Sequence, residues 1–201
     1  VHSALGHITV FLIVRKISTR GIISVLTHSL FSVDHRARCQ MKTEKWFFMT
    51  IFDGLKEAHG YFKIENTGAN GKAKGKAGVL REPRTKKLWE NHLSGTGSGL
   101  GIIPINEDNM CKWGCIDVDQ YPLDHKMLVD KVRKLKLPLV VCRSKSGGAH
   151  CFLFSTEWVS AKDMQRSLQQ MSAALGYGES EIFPKQIKLH LDRGDVGNFL
   201  N

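Results

Sequence analysis

The sequence predicts an α+β fold, in which an antiparallel sheet packs against helices. Short runs of branched and aromatic residues, typical of strands, recur from residue 100 onward. Between them lie two longer segments whose apolar residues recur at the spacing of a helix face. A glycine-rich turn, Ser144–Ala149, separates two of the strand-like runs, as in a hairpin. The order strand, helix, hairpin, helix, strand favours an RRM-like antiparallel sheet with flanking helices.

The composition is that of a basic globular domain. The chain has 201 residues, of which 42% are hydrophobic, enough for the core of one sizeable domain. Its formal net charge is +10 at pH 7, and an excess of this size fits a polyanionic partner, most simply nucleic acid. The alternative is a protein that is merely basic.

The cysteine pattern argues against a zinc site. Five cysteines are scattered along the chain without a CxxC pair. Cys111 and Cys115 lack a second pair of ligands at zinc-finger spacing. We therefore expect reduced thiols in or near the core of a cytoplasmic protein.

Residues 1–40 differ from the rest of the chain. They contain two apolar runs, Ile8–Val14 and Ile22–Leu26, and the first is too short to span a bilayer. Three interpretations are open: a poor signal peptide, two strands, or sequence upstream of a natural start at Met41. We favour the third, and expect an extra, loosely packed and dispensable segment before a domain that spans residues 41–201.

The first part of that domain predicts an N-terminal α/β lobe. Apolar residues around Trp46–Leu55 open it as a helix or a strand followed by a helix. Residues 66–78 form a glycine and lysine loop without the GxxxxGK[ST] pattern of a P-loop. This loop is either mobile or a nucleic-acid clamp, for which the candidates are Lys72, Lys74 and Lys76. Leu88–Leu93 resembles a helical turn, and Leu100–Ile105 a strand.

The second part supplies the sheet. Trp113–Val118, Leu137–Cys142, His150–Phe154 and Glu181–Pro184 are predicted strands. A helix from Asp124 to Lys136 is expected to bury four apolar side chains: Met127, Leu128, Val132 and Leu135.

A second helix is expected after Ser160. Ser160 and Asp163 resemble a capping box with Asp in place of Glu. The apolar residues of this helix recur at helical spacing, so its methionines belong to the core, and Gly176 and Gly178 end it. These apolar residues are Met164, Leu168, Met171 and Leu175.

The predicted strand Trp113–Val118 leads into a pair of carboxylates. Alternate side chains of a strand share one face, so Asp117 and Asp119 are expected to point the same way. Two adjacent carboxylates repel unless a divalent cation lies between them. About thirty residues on, the basic glycine-rich turn before His150 exposes backbone N–H groups and cations suited to phosphate. Together, the two features indicate metal-assisted chemistry on a nucleotide.

These residues resemble the archaeo-eukaryotic primase superfamily, whose core has an acid-x-acid strand, a Ser/Gly-rich turn that ends in His, and a third acid on a later strand. The resemblance is closest to the primase domain of the TOTE conflict systems and to related phage primase-polymerases. It covers roughly residues 41–201, and the strings that carry it are Trp113–Asp124, Val141–His150, Glu181–Gln186, Gly197–Asn201 and Phe52–Gly60.

The resemblance implies a metal site for nucleotidyl transfer. Asp117 and Asp119 match the paired acids and would hold Mg²⁺ or Mn²⁺ in a two-metal mechanism. Glu181 matches the third acid, with Asp192 and Asp195 as alternatives. The β- and γ-phosphates would be gripped by Arg143, Lys145, Ser146, Gly147 and His150.

The implied function is template-directed joining of NTP or dNTP on single-stranded DNA, with Lys185 as a further contact to nucleic acid. Two other functions stay open: a catalytically inactive or truncated homologue that binds nucleic acid, and a metal-dependent nuclease. The family domain is expected to continue past Asn201. The expected partners are helicase or nuclease domains in the parent protein or operon, and no membrane.

Overall fold

The computed structural model describes residues 47–67 and 73–201, apart from the side chains of 64–67 and 73–74. The expected extra segment 1–40 and Lys72 lie outside the described residues. The elements in chain order are α1 (residues 47–51 as described), β1 (His59–Thr67), β2 (Ala73–Leu80), α2 (Lys86–Leu93), β3 (Gly99–Gly101), β4 (Met110–Val118), α3 (His125–Lys134), β5 (Val140–Arg143), β6 (Ala149–Ser160), α4 (Ala161–Leu175), β7 (Glu181–Phe183) and a 3-10 turn (Leu191–Arg193).

Two antiparallel sheets organise these elements. The larger sheet has four strands in the order β5-β6-β4-β7. The smaller has three, in the order β2-β1-β3. Antiparallel sheets with flanking helices confirm the α+β prediction.

One face of the four-stranded sheet is covered by α3 and α4. Alternation along β4 turns Ile116 and Val118 to this face, where both are fully buried. They share a core cluster with Leu128 and Val132 of α3 and with Leu168 of α4. Burial of large apolar side chains of this kind stabilises the fold by about 1.5–3 kcal/mol each.

The N-terminal lobe covers the opposite face. Trp113 of β4 is 1% exposed and packs in one cluster with Trp89 of α2 and Phe183 of β7. Its indole Nε1 donates a hydrogen bond of 2.7 Å to the Asp53 carbonyl. Phe52 meets the Trp113 ring edge-on, with the ring centroids 5.1 Å apart. The lobe is therefore anchored to the sheet by both packing and a partly buried hydrogen bond.

The segment Gly197–Asn201 completes the small sheet. Leu200 exchanges two backbone hydrogen bonds with Ile102, 2.8 and 3.0 Å long. Gly60 and Gly101 are opposed in the β1–β3 ladder, and a Cβ at either would lie 2.1 Å from the Phe199 ring. The aromatic ring needs the space that these glycines leave, which explains why both positions lack a side chain.

The helix beginning at Ser160 is confirmed. The Ser160 hydroxyl accepts a hydrogen bond from the Asp163 N–H and donates to its carboxylate. Gly176 ends α4 in the left-handed conformation, at φ 81°. Met164 is buried with Leu168 and Leu175, and Met171 packs against the same cluster, so the methionines belong to the core.

The cysteines in the described range are free thiols. Cys111, Cys115 and Cys151 are buried and Cys142 is partly buried, which confirms the expectation of thiols in or near the core.

The predicted loop 66–78 is wrong over most of its length. Residues from Ala73 onward form β2, which pairs with β1. A Cβ at Gly78 would lie 2.8 Å from the Tyr61 ring, and one at Gly75 would lie 2.7 Å from the Phe62 ring. Gly75 and Gly78 make room for aromatic rings of the neighbouring strand, so these two glycines reflect close packing within a sheet and not a loop.

Two smaller predictions also need correction. The strand expected over Leu100–Ile105 ends at Gly101, after which only Ile102 pairs, and Ile103 and Ile105 are buried without ladder partners. Met127 and Leu135 are 60% and 42% exposed, because the buried face of α3 is centred on Leu128, Val129 and Val132.

None of the helices in the described part of the chain is long and apolar enough to cross a membrane.

Candidate active site

Four side chains form a row straight across the four-stranded sheet. Cys142 of β5 opposes His150 of β6, His150 opposes Asp117 of β4, and Asp117 opposes Glu181 of β7. Directly opposed residues of antiparallel strands project from the same face. The next row inward is largely apolar and consists of Val140, Phe152, Cys115 and Phe183. The polar row therefore lies at the edge of a hydrophobic surface.

Asp117 is the centre of this row. Its side chain is 17% exposed. The Oδ1 atom is buried and accepts no hydrogen bond. Burial, followed by the charges of Asp119 and Glu181, raises the pKa of this carboxyl to about 6. A buried carboxylate oxygen without a partner costs free energy unless a cation or a proton reaches it.

His150 is the neighbour of Asp117 in the row. Its Nε2 atom lies 3.5 Å from Asp117 Oδ1, too loosely placed for a hydrogen bond. Burial lowers the pKa of His150, against a smaller opposing effect of Asp119. The imidazole is therefore neutral at pH 7, and the contact is not an ion pair. A neutral ring leaves one N–H available to donate to a ligand.

Glu181 flanks Asp117 on the other side. Lys185 Nζ lies 2.7 Å from its carboxylate, and the Lys185 charge lowers the pKa of Asp117. Lys185, expected from the sequence to contact nucleic acid, is thus paired with Glu181, the second carboxylate of the row. Burial raises the pKa of the Cys142 thiol to about 11, so this member of the row stays protonated.

The alternative third acids are occupied elsewhere. Asp195 accepts a hydrogen bond from the His190 N–H, and Asp192 lies 3.9 Å from Arg193 in the same turn. Asp119 and Glu181 are the carboxylates that raise the pKa of Asp117. Among the acids considered from sequence, Glu181 is the one the fold places beside Asp117.

Asp119 lies one residue beyond the end of β4 and is exposed. Its Oδ1 atom accepts a hydrogen bond of 2.7 Å from the Tyr121 hydroxyl. The same hydroxyl lies 2.6 Å from Ser146 Oγ in the β5–β6 turn. Tyr121 therefore connects the second acid with the glycine-rich turn.

The turn between β5 and β6 is held close to the end of β4. The Ser144 N–H donates to the Gly148 carbonyl, and Gly147 adopts φ 98°. A Cβ at Gly148 would lie 2.2 Å from the Val118 carbonyl oxygen, so only glycine permits this approach. His125 Nε2, at the start of α3, lies 2.9 Å from the Gly148 carbonyl and supports the turn from outside.

The cations of the turn differ in their surroundings. Arg143 is exposed. Lys145 is also exposed, but its Nζ lies 3.8 Å from the centre of the Phe62 ring of β1, and partial burial lowers its pKa. This cation–π contact joins the turn to the β1–β2 hairpin. On β2, Lys76 is exposed, and the Lys74 side chain lies outside the described atoms.

The donor set fits a hard divalent cation. Mg²⁺ takes oxygen ligands and is commonly held by one or two carboxylates together with water and substrate phosphates. The unpartnered Asp117 oxygen and the nearby Asp119 carboxylate supply such ligands. Within the described ranges, no three His, Cys, Asp or Glu side chains gather closely enough to form an all-protein cage.

Sequence reasoning missed Tyr121, His125 and Cys142. Tyr121 and His125 contact the β5–β6 turn from a distant segment of the chain, and no local sequence spacing predicts these contacts. Cys142 could have been found, because it precedes Arg143 by one residue on a strand that pairs with the His150 strand.

Comparison with known proteins identifies the family of the chain. The family model described as the archaeo-eukaryotic primase domain of the TOTE conflict system matches residues 48–201, well over half of the chain. No curated protein shows a significant match. The matched range contains both sheets and the entire polar row. The chain therefore belongs to the archaeo-eukaryotic primase domain family of the TOTE conflict systems.

Proposed function

We propose that this domain catalyses template-directed nucleotidyl transfer, as a DNA primase-polymerase on single-stranded DNA. The observation that carries the proposal is the buried Asp117 oxygen without a hydrogen bond, between His150 and Glu181 on one sheet face. A family whose activity is primase-like supplies the reaction class. The raised pKa of Asp117 supports it, because perturbed carboxyls mark functional sites.

Asp117 and Asp119 hold Mg²⁺ or Mn²⁺ in this proposal, with Glu181 as the third acid. Bound cations at this place supply activation of the attacking 3′-hydroxyl and neutralisation of the triphosphate charge. Lys185 Nζ lies 2.7 Å from the Glu181 carboxylate. Glu181 therefore binds the metal either with its other oxygen or after this ion pair breaks. Lys185 meanwhile offsets part of the negative charge that gathers around Asp117.

The triphosphate binds at the β5–β6 turn. Backbone N–H groups of a turn with a glycine in the left-handed region form a concave site for anions. Ser146 adds a hydroxyl, and the neutral His150 adds an N–H donor beside Asp117. Arg143 and Lys145 contribute positive charge, and a guanidinium group can form two hydrogen bonds with one phosphate.

The template strand is bound by the basic surface. The net charge of +10 favours a polyanion, and each neutralised phosphate strengthens binding by counterion release. Strand β2 carries Lys74 and Lys76, and the sequence has a further candidate at Lys72, outside the described residues. Lys145 on the Phe62 ring places this hairpin next to the nucleotide turn.

Primer extension by the full chain tests the proposal. We expect incorporation of labelled nucleotide on a primed single-stranded template with Mn²⁺, and its loss in Asp117→Ala. Asp130→Ala is the matched control, since Asp130 lies exposed on α3 and pairs with Lys126. Single-stranded DNA binding should survive both substitutions, because affinity comes from cationic contacts.

The outcome separates the other functions. A metal-dependent nuclease would shorten the primer or template without incorporation and would not bind nucleoside triphosphate. A binding module would retain DNA affinity and fail to incorporate nucleotide at any Mn²⁺ concentration. Either result would overturn the proposed activity.

A further inference from the structure

Tyr121 connects the two halves of the proposed site through one hydroxyl group. That hydroxyl lies 2.7 Å from Asp119 Oδ1 and 2.6 Å from Ser146 Oγ. Both distances are those of good O–H···O hydrogen bonds, and the bond to a carboxylate is charge-assisted.

The direction of these hydrogen bonds follows from the proton count. A phenol has one proton, and the carboxylate is its strongest acceptor, so Tyr121 donates to Asp119. Ser146 then donates to the Tyr121 oxygen. Ser146 Oγ also lies 3.2 Å from Ser144 Oγ, which extends the chain into the buried base of the turn.

Packing does not explain the presence of a tyrosine at this position. Tyr121 is 51% exposed, so most of its ring area gains little from burial. Over residues 47–67 and 73–201, its hydroxyl is the side-chain group that hydrogen-bonds the Asp119 carboxylate. The contribution of the residue is thus concentrated in one oxygen atom.

We propose that Tyr121 is a positioning residue that orients Asp119 for the metal and Ser146 for the triphosphate. Its hydrogen bond occupies Asp119 Oδ1 and leaves Oδ2 for a cation. The inference rests on the proposed function, because it takes Asp119 as a metal ligand and Ser146 as a phosphate ligand. Hydrogen-bond partners that orient a ligating side chain typically affect metal affinity or activity by about 10–100-fold.

Tyr121→Phe removes the hydroxyl and keeps the ring. We expect the affinity of the full chain for Mn²⁺ to fall by about 10–100-fold, read from the paramagnetic resonance of free Mn²⁺ in a titration. In primer extension the KM values for Mn²⁺ and nucleotide should rise, while kcat at saturating concentrations is largely kept. A merely structural tyrosine would instead lower kcat and the melting temperature together.

The matched control is Tyr177→Phe, which removes a hydroxyl beyond the Gly176 end of α4. It should bind Mn²⁺ as the wild type does. Ser146→Ala is the second variant, and we expect it to raise the nucleotide KM more than it weakens Mn²⁺ binding. Because Tyr121 acts on both partners, adding Ser146→Ala to Tyr121→Phe should change the nucleotide KM by less than the sum of the single effects.

Asp117→Asn in the same titration distinguishes the two levels of failure. If Asp117→Asn loses Mn²⁺ and Tyr121→Phe binds it with wild-type affinity and KM values, the inference about Tyr121 is overturned and the proposed function stands. If Asp117→Asn binds Mn²⁺ as tightly as the wild type, or the wild type binds none, the metal site is wrong and the inference falls with it.

Discussion

Asp117 and His150 oppose each other across β4 and β6, with Nε2 of the imidazole 3.5 Å from Oδ1 of the carboxylate, yet they form no hydrogen bond. The pKa of the acid is raised and that of the histidine lowered, mainly by burial in both cases. Burial thus disfavours the charged form of each group, and the two do not compensate each other with a hydrogen bond. Such unsatisfied pairs are common at sites that a ligand completes.

Asp117→Asn should change how stability depends on pH. The pKa of Asp117 rises from 3.8 in the unfolded chain to about 6 in the fold, so the folded state binds this proton more tightly. The resulting stabilisation is complete below pH 4 and is lost as pH rises through 6, by about 3 kcal/mol at 1.36 kcal/mol per pKa unit. Urea unfolding at pH 4 and pH 7 should show this loss in the wild type and its absence in the variant. An equal pH dependence in both proteins would contradict the raised pKa.

Mn²⁺ should stabilise the wild type and not Asp117→Asn. A ligand that binds only the folded state at a hundred times its Kd stabilises it by about 2.7 kcal/mol. Since Asp117 must be deprotonated to bind Mn²⁺, the stabilisation by Mn²⁺ should be small at pH 5 and larger at pH 7.5. Thermal melts with Mn²⁺ and with Ca²⁺ as a second hard cation measure it. Equal stabilisation of the Asn variant would indicate a cation site elsewhere.

Lys185→Met should shift Mn²⁺ binding to higher pH. The Lys185 charge lowers the pKa of Asp117, so its removal lets that pKa rise further and delays ionisation. Methionine keeps much of the length of the side chain and its packing near Phe183. The midpoint of Mn²⁺ binding against pH should therefore move upward, whereas Lys188→Met, an exposed control, should leave it unchanged. A downward shift would mean that Lys185 mainly withholds Glu181 from the metal.

Gly148→Ala should distort the turn between β5 and β6, where we propose that the triphosphate binds. The added Cβ would lie 2.2 Å from the Val118 carbonyl, a backbone atom that cannot move without displacing the end of β4. We expect destabilisation of about 1–3 kcal/mol and a weaker affinity for nucleoside triphosphate, measured by calorimetry. Gly178→Ala is the control, since its Cβ would meet its nearest neighbour at 3.9 Å. Unchanged nucleotide affinity in a folded Gly148→Ala protein would separate the turn from nucleotide binding.

Local patterns predicted the larger sheet well, because its strands, hairpin turn and helix caps are encoded over short spans. Ser160 and Gly176 delimit α4 by hydrogen bonds within a few residues. The β1–β2 hairpin was missed because its glycines are selected by rings on the partner strand, Tyr61 and Phe62. Strand alternation placed Asp117, whereas Tyr121 and the Lys185–Glu181 pair depend on how separate segments meet.

The ring of Phe199 over Gly60 and Gly101 has a consequence for biosynthesis. All four strands of the larger sheet lie within residues 110–183, so they are synthesised before Phe199 and Leu200 and can pair while translation continues. Ile102, next to the smaller sheet, pairs with Leu200. The surface over Gly60 and Gly101 therefore stays uncovered until Phe199 and Leu200 have left the ribosome. The order of synthesis therefore lets the four-stranded sheet form before Phe199 and Leu200 can close the contact with the smaller sheet.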